Sequence, residues 1–391
     1  MSGQSNSITI LGEFYDSYVY MKTLRLITAD KKILSIDWQE LVTRHMPHPN
    51  HIGYDCAFLN GKYLYGAHFQ KLFSDEGVKQ LLLKRFSEIE DIIVPYDEIK
   101  PSRKVSEFEH LPADISAYNN YLYYCDANGL HRCRMTAKNI DVANTETVVQ
   151  GMHVVSIDIA SGFSIRYATL DKGLWEFDAI RSRNQYGPVL NQLTMSHTSF
   201  SRDNHASILV GSYYAQSKFI ERVWERENDP NSEKGYRNVL VVKDEHNLSE
   251  VFGMDGFFIS AYDKIYLLNE QGIFLARFEW SNDNRTLFSE NEKSIERIGN
   301  GVDLANLVDA TVEFFGVVVE YRNKVQVLLS TGKIFEREFA GGQFVGWRTF
   351  PRSIDYTNQL HLIFSDRIEI HSFNEDYFVN QKEKKLGMKW R

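Results

Sequence analysis

Apolar and polar residues alternate in short runs along most of this chain, and turn residues separate the runs. Alternation with a period of two is typical of β-strands that bury one face. Neighbouring runs, as in YLYYCDANGLHRCRM, predict hairpins. Several of the turns open on a side-chain acceptor and close on a glycine, as in Asp126–Gly129 and Asn269–Gly272. The pattern therefore predicts an all-β chain that is built from hairpins.

The hairpins belong to a unit that recurs along the chain. An aspartate starts a short strand, and a hairpin begins about eight residues later. Two stretches nearly repeat outright, ISAYNNYLYYCDANGL from Ile115 and ISAYDKIYLLNEQGI from Ile259. Repetition of one supersecondary unit predicts a repeat architecture. The aspartates concerned are Asp16, Asp55, Asp114, Asp158 and, at a slightly shorter spacing, Asp355.

Counting by central hairpins gives eight units within residues 1–379. They lie near residues 7–45, 54–95, 112–150, 154–195, 198–245, 254–300, 308–350 and 352–379. Residues 380–391 follow as a basic C-terminal tail.

This organisation resembles the β-propeller superfamily of WD-repeat-like proteins, at the level of the fold. The characteristic dipeptides are missing, since Asp37-Trp38 is a reversed Trp-Asp and no Gly-His opens the units. The resemblance implies a single propeller of eight four-stranded blades, or of seven if the second or fifth unit is misread. The early strand at Ile8 would complete the last blade and close the ring. The alternative is a stacked pair of antiparallel β domains.

Three segments depart from the regular pattern. In the second unit, Ser74 to Glu76 would cap a short helix. In the fifth, the polar insertion Glu225–Asn238 has the composition of an exposed loop, which would serve either recognition or spacing. The tail QKEKKLGMKWR would be solvated, or would dock on an acidic partner or on nucleic acid.

The recurring aspartates are the candidate binding site. In a propeller the innermost strand of each blade lines the central channel, so residues at its start lie at one channel mouth. The five aspartates would then form an acidic ring that receives a Lys or Arg side chain or a Ca²⁺ ion. Alternatively, each aspartate caps the turn that enters its own strand.

Other candidate chemistry is weaker. His45, His48 and His51 lie near Cys56, but the intervening prolines keep the loop extended, so no metal site is predicted. The stretch Thr169–Trp175 resembles one Asp-box of sialidase-type propellers, with its tryptophan one residue early. It is interpreted as ordinary hairpin chemistry, and no catalytic residue is predicted.

Composition narrows the class of partner. Lys and Arg number 44 and Asp and Glu 52, which gives a net charge of −8 and makes nucleic acid an unlikely partner. Three cysteines form no disulfide framework and favour a reducing, cytoplasmic location. No apolar run approaches the length of a membrane span.

These patterns favour a non-catalytic scaffold that binds a partner protein or peptide, with a basic segment, at the propeller face. The alternative is a hydrolase or lyase that acts on a sugar or lactone with carboxylates at the same mouth. Such an enzyme would need two carboxylates about 5–10 Å apart in a cleft. An ion or small-molecule sensor would share that pocket.

Overall fold

The computed structural model describes residues 5–48, 51–61, 65, 67–99, 105–136, 139–159, 164–178, 189–204, 207–213, 216–228, 234–277, 295–340, 342–381 and 383–389. The chain forms two compact units. Unit 1 comprises Met1–Leu111, Cys133–Asn144 and Asn306–Arg391, and unit 2 comprises Pro112–Arg132 and Thr145–Ala305.

The described strands form seven sheets, six with four strands and one with five. In most of the sheets four consecutive strands pair antiparallel in chain order. This is the topology of a seven-bladed β-propeller, and it confirms the predicted fold class at the lower of the two predicted blade counts.

Three sheets belong to unit 1. The first contains β2 (Phe14–Tyr20), β3 (Thr23–Thr28), β4 (Lys32–Asp37) and β6 (Ser106–Glu107). The second contains β23 (Leu307–Glu313), β24 (Gly316–Tyr321), β25 (Lys324–Leu329) and β26 (Ile334–Glu338). The third, the closing sheet, contains in order β27 (Phe344–Thr349), β28 (Gln359–Phe364), β29 (Arg367–Ser372), β1 (Asn6–Leu11) and β5 (Ile92–Val94).

Four further sheets are centred on unit 2. The first two contain β7 (Asp114–Tyr118), β8 (Tyr121–Asp126), β9 (Gly129–Arg134) and β10 (Glu146–Gln150), then β11 (Ser156–Ile159), β12 (Ser164–Ala168), β13 (Leu174–Asp178) and β14 (Val189–Thr194). The others contain β15 (Phe200–Asn204), β16 (Ser207–Gly211), β17 (Lys218–Asn228) and β18 (Tyr236–Asn247), then β19 (Phe257–Ala261), β20 (Lys264–Asn269), β21 (Gly272–Arg277) and β22 (Glu296–Gly299).

The closing sheet joins the two ends of the described chain. β1 pairs antiparallel with β29, with Ile8 opposite Ile370 and Ile10 opposite Ile368. All four isoleucines are fully buried in the main apolar core of unit 1. The predicted closure by the N-terminal strand is therefore confirmed.

Helices replace the second predicted repeat, which was expected at residues 54–95. They are α1 (Trp38–His45), α2 (Ile52–Tyr54), a π-helix (Asp55–Leu59), α3 (Ala67–Leu72) and α4 (Glu76–Ser87). Between β4 and β6, the short β5 is the one strand among the described residues, and it pairs parallel with β1 in the closing sheet. The prediction of a blade at 54–95 was thus wrong, because the aromatic residues Trp38, Tyr54 and Phe58 pack from helices into the core of unit 1.

The two longest described helices, α1 and α4, each begin at an aspartate whose side chain caps the first turn. Asp37 Oδ1 accepts a hydrogen bond from the Glu40 backbone N–H at 2.9 Å and starts α1. Asp75 does the same for Val78 at 3.0 Å and starts α4, within the segment predicted to cap a helix. The remaining helices are α5 (Leu248–Phe252) and short 3₁₀ turns at Tyr96–Glu98, Val142–Asn144 and Glu375–Phe378. Among the described helices, none has the length and hydropathy that crossing a bilayer requires.

The fifth predicted repeat, at residues 198–245, also differs from its prediction. Instead of a loop, Glu225–Asn228 and Tyr236–Asn238 continue β17 and β18 as a long hairpin. Residues 229–233 of the predicted loop lie outside the described residues.

The basic tail packs into unit 1. Lys384 is buried and its Nζ lies 2.7 Å from Asp376 Oδ1. The same ammonium donates a hydrogen bond to the carbonyl oxygen of Phe314, and the Met388 N–H donates to that of Glu313 at 2.9 Å. Over residues 383–389 the tail is therefore part of the fold rather than a solvated segment; Lys382, Trp390 and Arg391 lie outside the described residues.

Candidate functional site

The structure separates the five candidate aspartates. Asp16, Asp114 and Asp158 lie in the first strands of their sheets, β2, β7 and β11, as predicted. Asp55 instead begins the π-helix, where its Oδ1 accepts a hydrogen bond from Asn60 Nδ2 at 2.7 Å. Asp355 lies between β27 and β28 rather than in the first strand of the closing sheet. The expected strand-start placement was wrong for these last two, and the binding role of all five stays a prediction.

In Asp16 and Asp114, one carboxylate oxygen binds the backbone N–H of the next residue. Asp16 Oδ1 accepts from the Ser17 N–H at 2.7 Å, and Asp114 Oδ1 accepts from the Ile115 N–H at 2.8 Å. Asp309 in β23 repeats the contact with Ala310 at 2.8 Å, although the sequence pattern did not single it out. These aspartates therefore fix the start of their strands. Each binds the N–H of the next residue, whereas the predicted turn cap would bind the N–H two residues on.

The other oxygens connect neighbouring strands and sheets inside each unit. Arg348 of β27 makes a two-pronged ion pair with Asp16, at 2.9 Å from Nε and 2.6 Å from Nη2. In unit 2, Asp114 Oδ2 accepts from the Ile157 N–H of the next sheet at 2.8 Å. Asp158 Oδ2 accepts from the buried Arg166 at 2.7 Å. Their charge is thus largely engaged by the protein itself.

Further ion pairs tie sheets together away from the strand starts. Arg222 of β17 donates to Glu176 of β13 at 3.0 Å, and both residues are buried. Arg337 of β26 pairs with Glu369 of β29 at 2.5 Å. Burial alone would raise the pKa of Glu369, but hydrogen bonds from His371, Arg337 and Arg367 outweigh it and hold that pKa far below its ordinary range.

Asp309 and Glu320 are two acidic residues in neighbouring strands of unit 1. Asp309 stands opposite Glu320 in the register of β23 and β24. Trp347 Nε1 of β27 donates to Glu320 Oε2 at 2.7 Å. Burial, with the nearby charge of Asp309, raises the pKa of Glu320 from 4.5 to about 7, despite the opposing bond from Trp347.

The histidine loop shows no metal geometry in its described part. His51 Nε2 lies 3.7 Å from Glu88, and Cys56 is buried with its pKa raised to about 12 by burial. Across the described ranges, no three His, Cys, Asp or Glu side chains stand close enough to hold a metal ion. A shallow depression of about 490 Å³ lies beside α1 instead and is lined by Asp37, Gln39, Glu40, Thr43 and Arg44.

Three aromatic rings pack together on unit 2 at the end where its first strands start, and one of them, Tyr213, is exposed. Tyr213, after β16, packs on Phe200 at 5.5 Å between ring centroids and stacks on Phe257 at 6.3 Å. Phe200 and Phe257 start β15 and β19 and stack at 5.8 Å, with 24° between their planes. The Tyr213 side chain remains 48% exposed. We call Phe200, Tyr213 and Phe257 the aromatic platform.

Backbone shape holds the platform in place. Phe200 stands opposite Gly211 in the β15–β16 register, and its ring fills the space where a side chain at Gly211 would lie, only 2.0 Å from an added Cβ. The Tyr213 N–H donates to Ser199 Oγ at 3.3 Å. The platform is therefore held by contacts within unit 2. No local pattern in the sequence indicates it, because only the register brings Gly211 against Phe200.

Exposed side chains lie in the segments that lead into the platform. Met195 lies in the connection from β14 to β15 and is 79% exposed. Asp171, in the turn before β13, is almost fully exposed and lies 3.8 Å from His197 Nε2. Leu170 of the same turn bridges to Thr198, just before Phe200. Asp255 is exposed two residues before Phe257.

No family model and no curated protein matches this sequence. Solved structures with a similar fold include the WD40 domain of Pan2 from Neurospora crassa, which is 8% identical with a TM-score of 0.49 over 96% of this chain and 97% of that chain. Another is BBS1N in complex with ARL6DN, 8% identical with a TM-score of 0.47 over 93% of each chain. At this identity the likeness concerns the fold alone.

Proposed function

We propose that the protein is a non-catalytic interaction scaffold that binds a partner protein or peptide at the aromatic platform of unit 2. The observation that carries the proposal is the half-exposed Tyr213 ring, held by Phe200 and Phe257 on a rigid sheet. Large aromatic side chains in fixed positions are the residues that most often dominate binding energy at protein interfaces.

The platform provides an anchor at low entropic cost. Its rings are already packed, so binding does not need to order them. Met195, in the connection that leads to Phe200, is unbranched and exposed, and such a side chain adapts to the shape of a partner. A ligand with one protruding apolar side chain fits this combination of a rigid and an adaptable surface.

The proposed partner carries a basic residue next to that apolar side chain. The aspartates of the first strands are less suited to receive it, because Asp16 and Asp158 already pair with arginines. Asp171 and Asp255, exposed at the edge of the platform, supply negative charge instead. Such rim charges act mainly on the association rate and on its dependence on salt.

The contacts of the buried polar groups favour a scaffold over a hydrolase or lyase. Both carboxylate oxygens of Asp16 are held by Arg348. Ser17 Oγ lies 2.8 Å from His361 Nδ1, but both residues are fully buried, and burial lowers the pKa of this histidine to about 3. A nucleophile or general base must reach the substrate, and these groups are enclosed. A reducing, cytoplasmic location is part of the proposal, since all three cysteines are free and buried.

The test uses a photo-crosslinking amino acid at position 213 and, as control, at position 96. Tyr96 is 51% exposed in unit 1 and matches Tyr213 in type and exposure. The protein that crosslinks at 213 and not at 96 is then purified and its dissociation constant is measured. We expect Tyr213→Ala to weaken binding about tenfold or more, a loss of about 1.4 kcal/mol.

Two further variants show whether a loss of binding comes from the missing aromatic ring or from a disturbed fold. Tyr213→Phe retains the ring and should bind almost as tightly as the wild type, and Tyr96→Ala should bind equally well. If both positions crosslink the same proteins, or if Tyr213→Ala binds like the wild type, the aromatic platform is not the docking surface. Asp171→Asn should slow association and reduce its salt dependence if the partner segment is basic.

A further inference from the structure

The β17–β18 hairpin extends well past the rest of its sheet. β17 pairs with β16 over Lys218–Ile220, whereas it pairs with β18 along its whole length from Lys218 to Asn228. β18 is the last strand of the sheet, so among the described residues no strand pairs with its outer edge. A strand edge of this kind presents unpaired N–H and C=O groups that another strand can bind.

The middle of the hairpin carries apolar side chains that are poorly covered. Trp224, opposite Leu240, is 61% exposed, and Val242 is also exposed. Val239, Leu240 and Val241 form with Val242 an uninterrupted apolar run and are half-buried. Edge strands are usually protected by charges or prolines, and in β18 the charges follow the run at Lys243, Asp244 and Glu245 while the run itself has none. The run therefore has the properties of a strand that another strand covers.

Residue order along β18 points to a specific occupant. The cation Lys234 stands just before β18, and Lys243, Asp244 and Glu245 follow the apolar run, so that acids outnumber cations at that end. When two copies of such a strand pair antiparallel, the basic end of one approaches the acidic end of the other. The apolar run meets itself at the centre. A parallel arrangement would instead bring like charges together, which is destabilising.

The register follows from the faces of the strand. With Val241 opposite Val241 of the second copy, Leu240 stands opposite Val242, and the face that carries Trp224 becomes continuous across both copies. A shift by one residue would place the two tryptophans on opposite faces. An arrangement in which the same strand contacts itself is the symmetric interface typical of twofold dimers.

We propose that the protein forms a twofold dimer in which the outer edges of two β18 strands pair antiparallel about Val241. This goes beyond the proposed scaffold function and uses a different surface from the aromatic platform. A dimer of scaffolds would present two platforms, and a partner with two binding segments would gain affinity from this pairing.

The experiment is sedimentation velocity of the full chain from about 1 to 100 μM, a range chosen because a small edge interface binds weakly. We expect the wild type to shift from one to two copies with rising concentration. Val241→Lys and Val241→Glu place like charges opposite each other, so each variant alone should remain monomeric. An equimolar mixture of the two places lysine opposite glutamate and should restore the dimer.

The matched control is Ile334→Lys, at an exposed position of β26, which is also the outermost strand of its sheet. This variant should dimerise like the wild type. Circular dichroism spectra and melting temperatures that match the wild type show that the Val241 variants are folded. A wild type that stays monomeric at the highest concentration overturns the proposal, as do a dimer that persists in Val241→Lys and a mixture that does not associate.

Discussion

Two neighbouring residues of β27 meet carboxylates in opposite electrostatic situations. Arg348 neutralises Asp16 of β2, whereas Trp347 offers Glu320 of β24 a single N–H. A neutral donor cannot offset the loss of water around a buried charge, so the pKa of Glu320 rises to about 7. Within unit 1, β27 thus gives Asp16 a positively charged partner. It gives Glu320 only a neutral donor, and the pKa of Glu320 lies close to neutral pH.

The raised pKa predicts how stability depends on pH. Because folding favours the protonated form of Glu320, its contribution is complete below pH 4.5 and is lost as pH rises to about 7. Glu320→Gln should therefore gain stability over the wild type at pH 8 and not at pH 4, by up to about 3 kcal/mol at 1.4 kcal/mol per pKa unit. Urea unfolding of both proteins at the two pH values measures this difference.

The control substitution is Glu109→Gln, at an exposed side chain of unit 1. It should show the same difference from the wild type at both pH values. A Glu320→Gln variant whose relative stability does not change with pH would contradict the assignment.

At the scale of elements, the C-terminal segment depends on one buried ion pair. Burial raises the pKa of Asp376 and lowers that of Lys384, and their mutual attraction opposes both shifts. Ser330 Oγ also donates a hydrogen bond to Asp376. The pair holds the tail against the turn between β23 and β24, so the tail and this sheet form one packed element.

Lys384→Met should destabilise the protein by about 3–5 kcal/mol, because it leaves Asp376 buried without its partner. Lys385→Met, one residue later and exposed, is the control and should cost less than about 0.5 kcal/mol. Thermal and urea unfolding measure both variants. Adding Asp376→Asn to Lys384→Met should recover part of the loss, and a double variant no better than the single one would argue against the ion pair.

The elements that could be predicted from the sequence are those with local signals. Hairpins such as β7–β8 and β19–β20 combine alternation with a turn, so their strands were expected. KYLYGAHF alternates in the same way, yet Tyr65 within it lies in a helical turn and packs on Tyr377 at 4.3 Å. This contact joins residues that are far apart along the chain, so no local sequence pattern predicts it.

The candidate site was predicted in part for the same reason. The strand-entry position of Asp114 and Asp158 follows from local spacing, and it was found. Arg348 lies far along the chain from Asp16, so the neutralisation of that acid was not visible in the sequence. The aromatic platform arises where three strands meet, and Tyr213 lies in a connection without any periodic pattern.

At the scale of the whole molecule, closure depends on a strand from the start of the chain. Ile8→Ala should cost about 2–5 kcal/mol, since Ile8 is fully buried between β29 and β5. Ile93→Ala in β5 removes an exposed side chain of the same type and should cost less than about 0.5 kcal/mol. Urea unfolding compares the two. An equal effect of both substitutions would mean that β1 is not essential for closing the sheet.

The pairing of β1 with β29 also determines when the fold can be completed during synthesis. β1 leaves the ribosome long before its partner strand β29. In the interval β5 is the one partner for β1 that has already been synthesised, and it binds the opposite edge through a three-residue register. Until β29 has been made, the nascent chain therefore carries an apolar strand with one open edge. Such an edge promotes aggregation, and early pairing with β5 covers only the other edge.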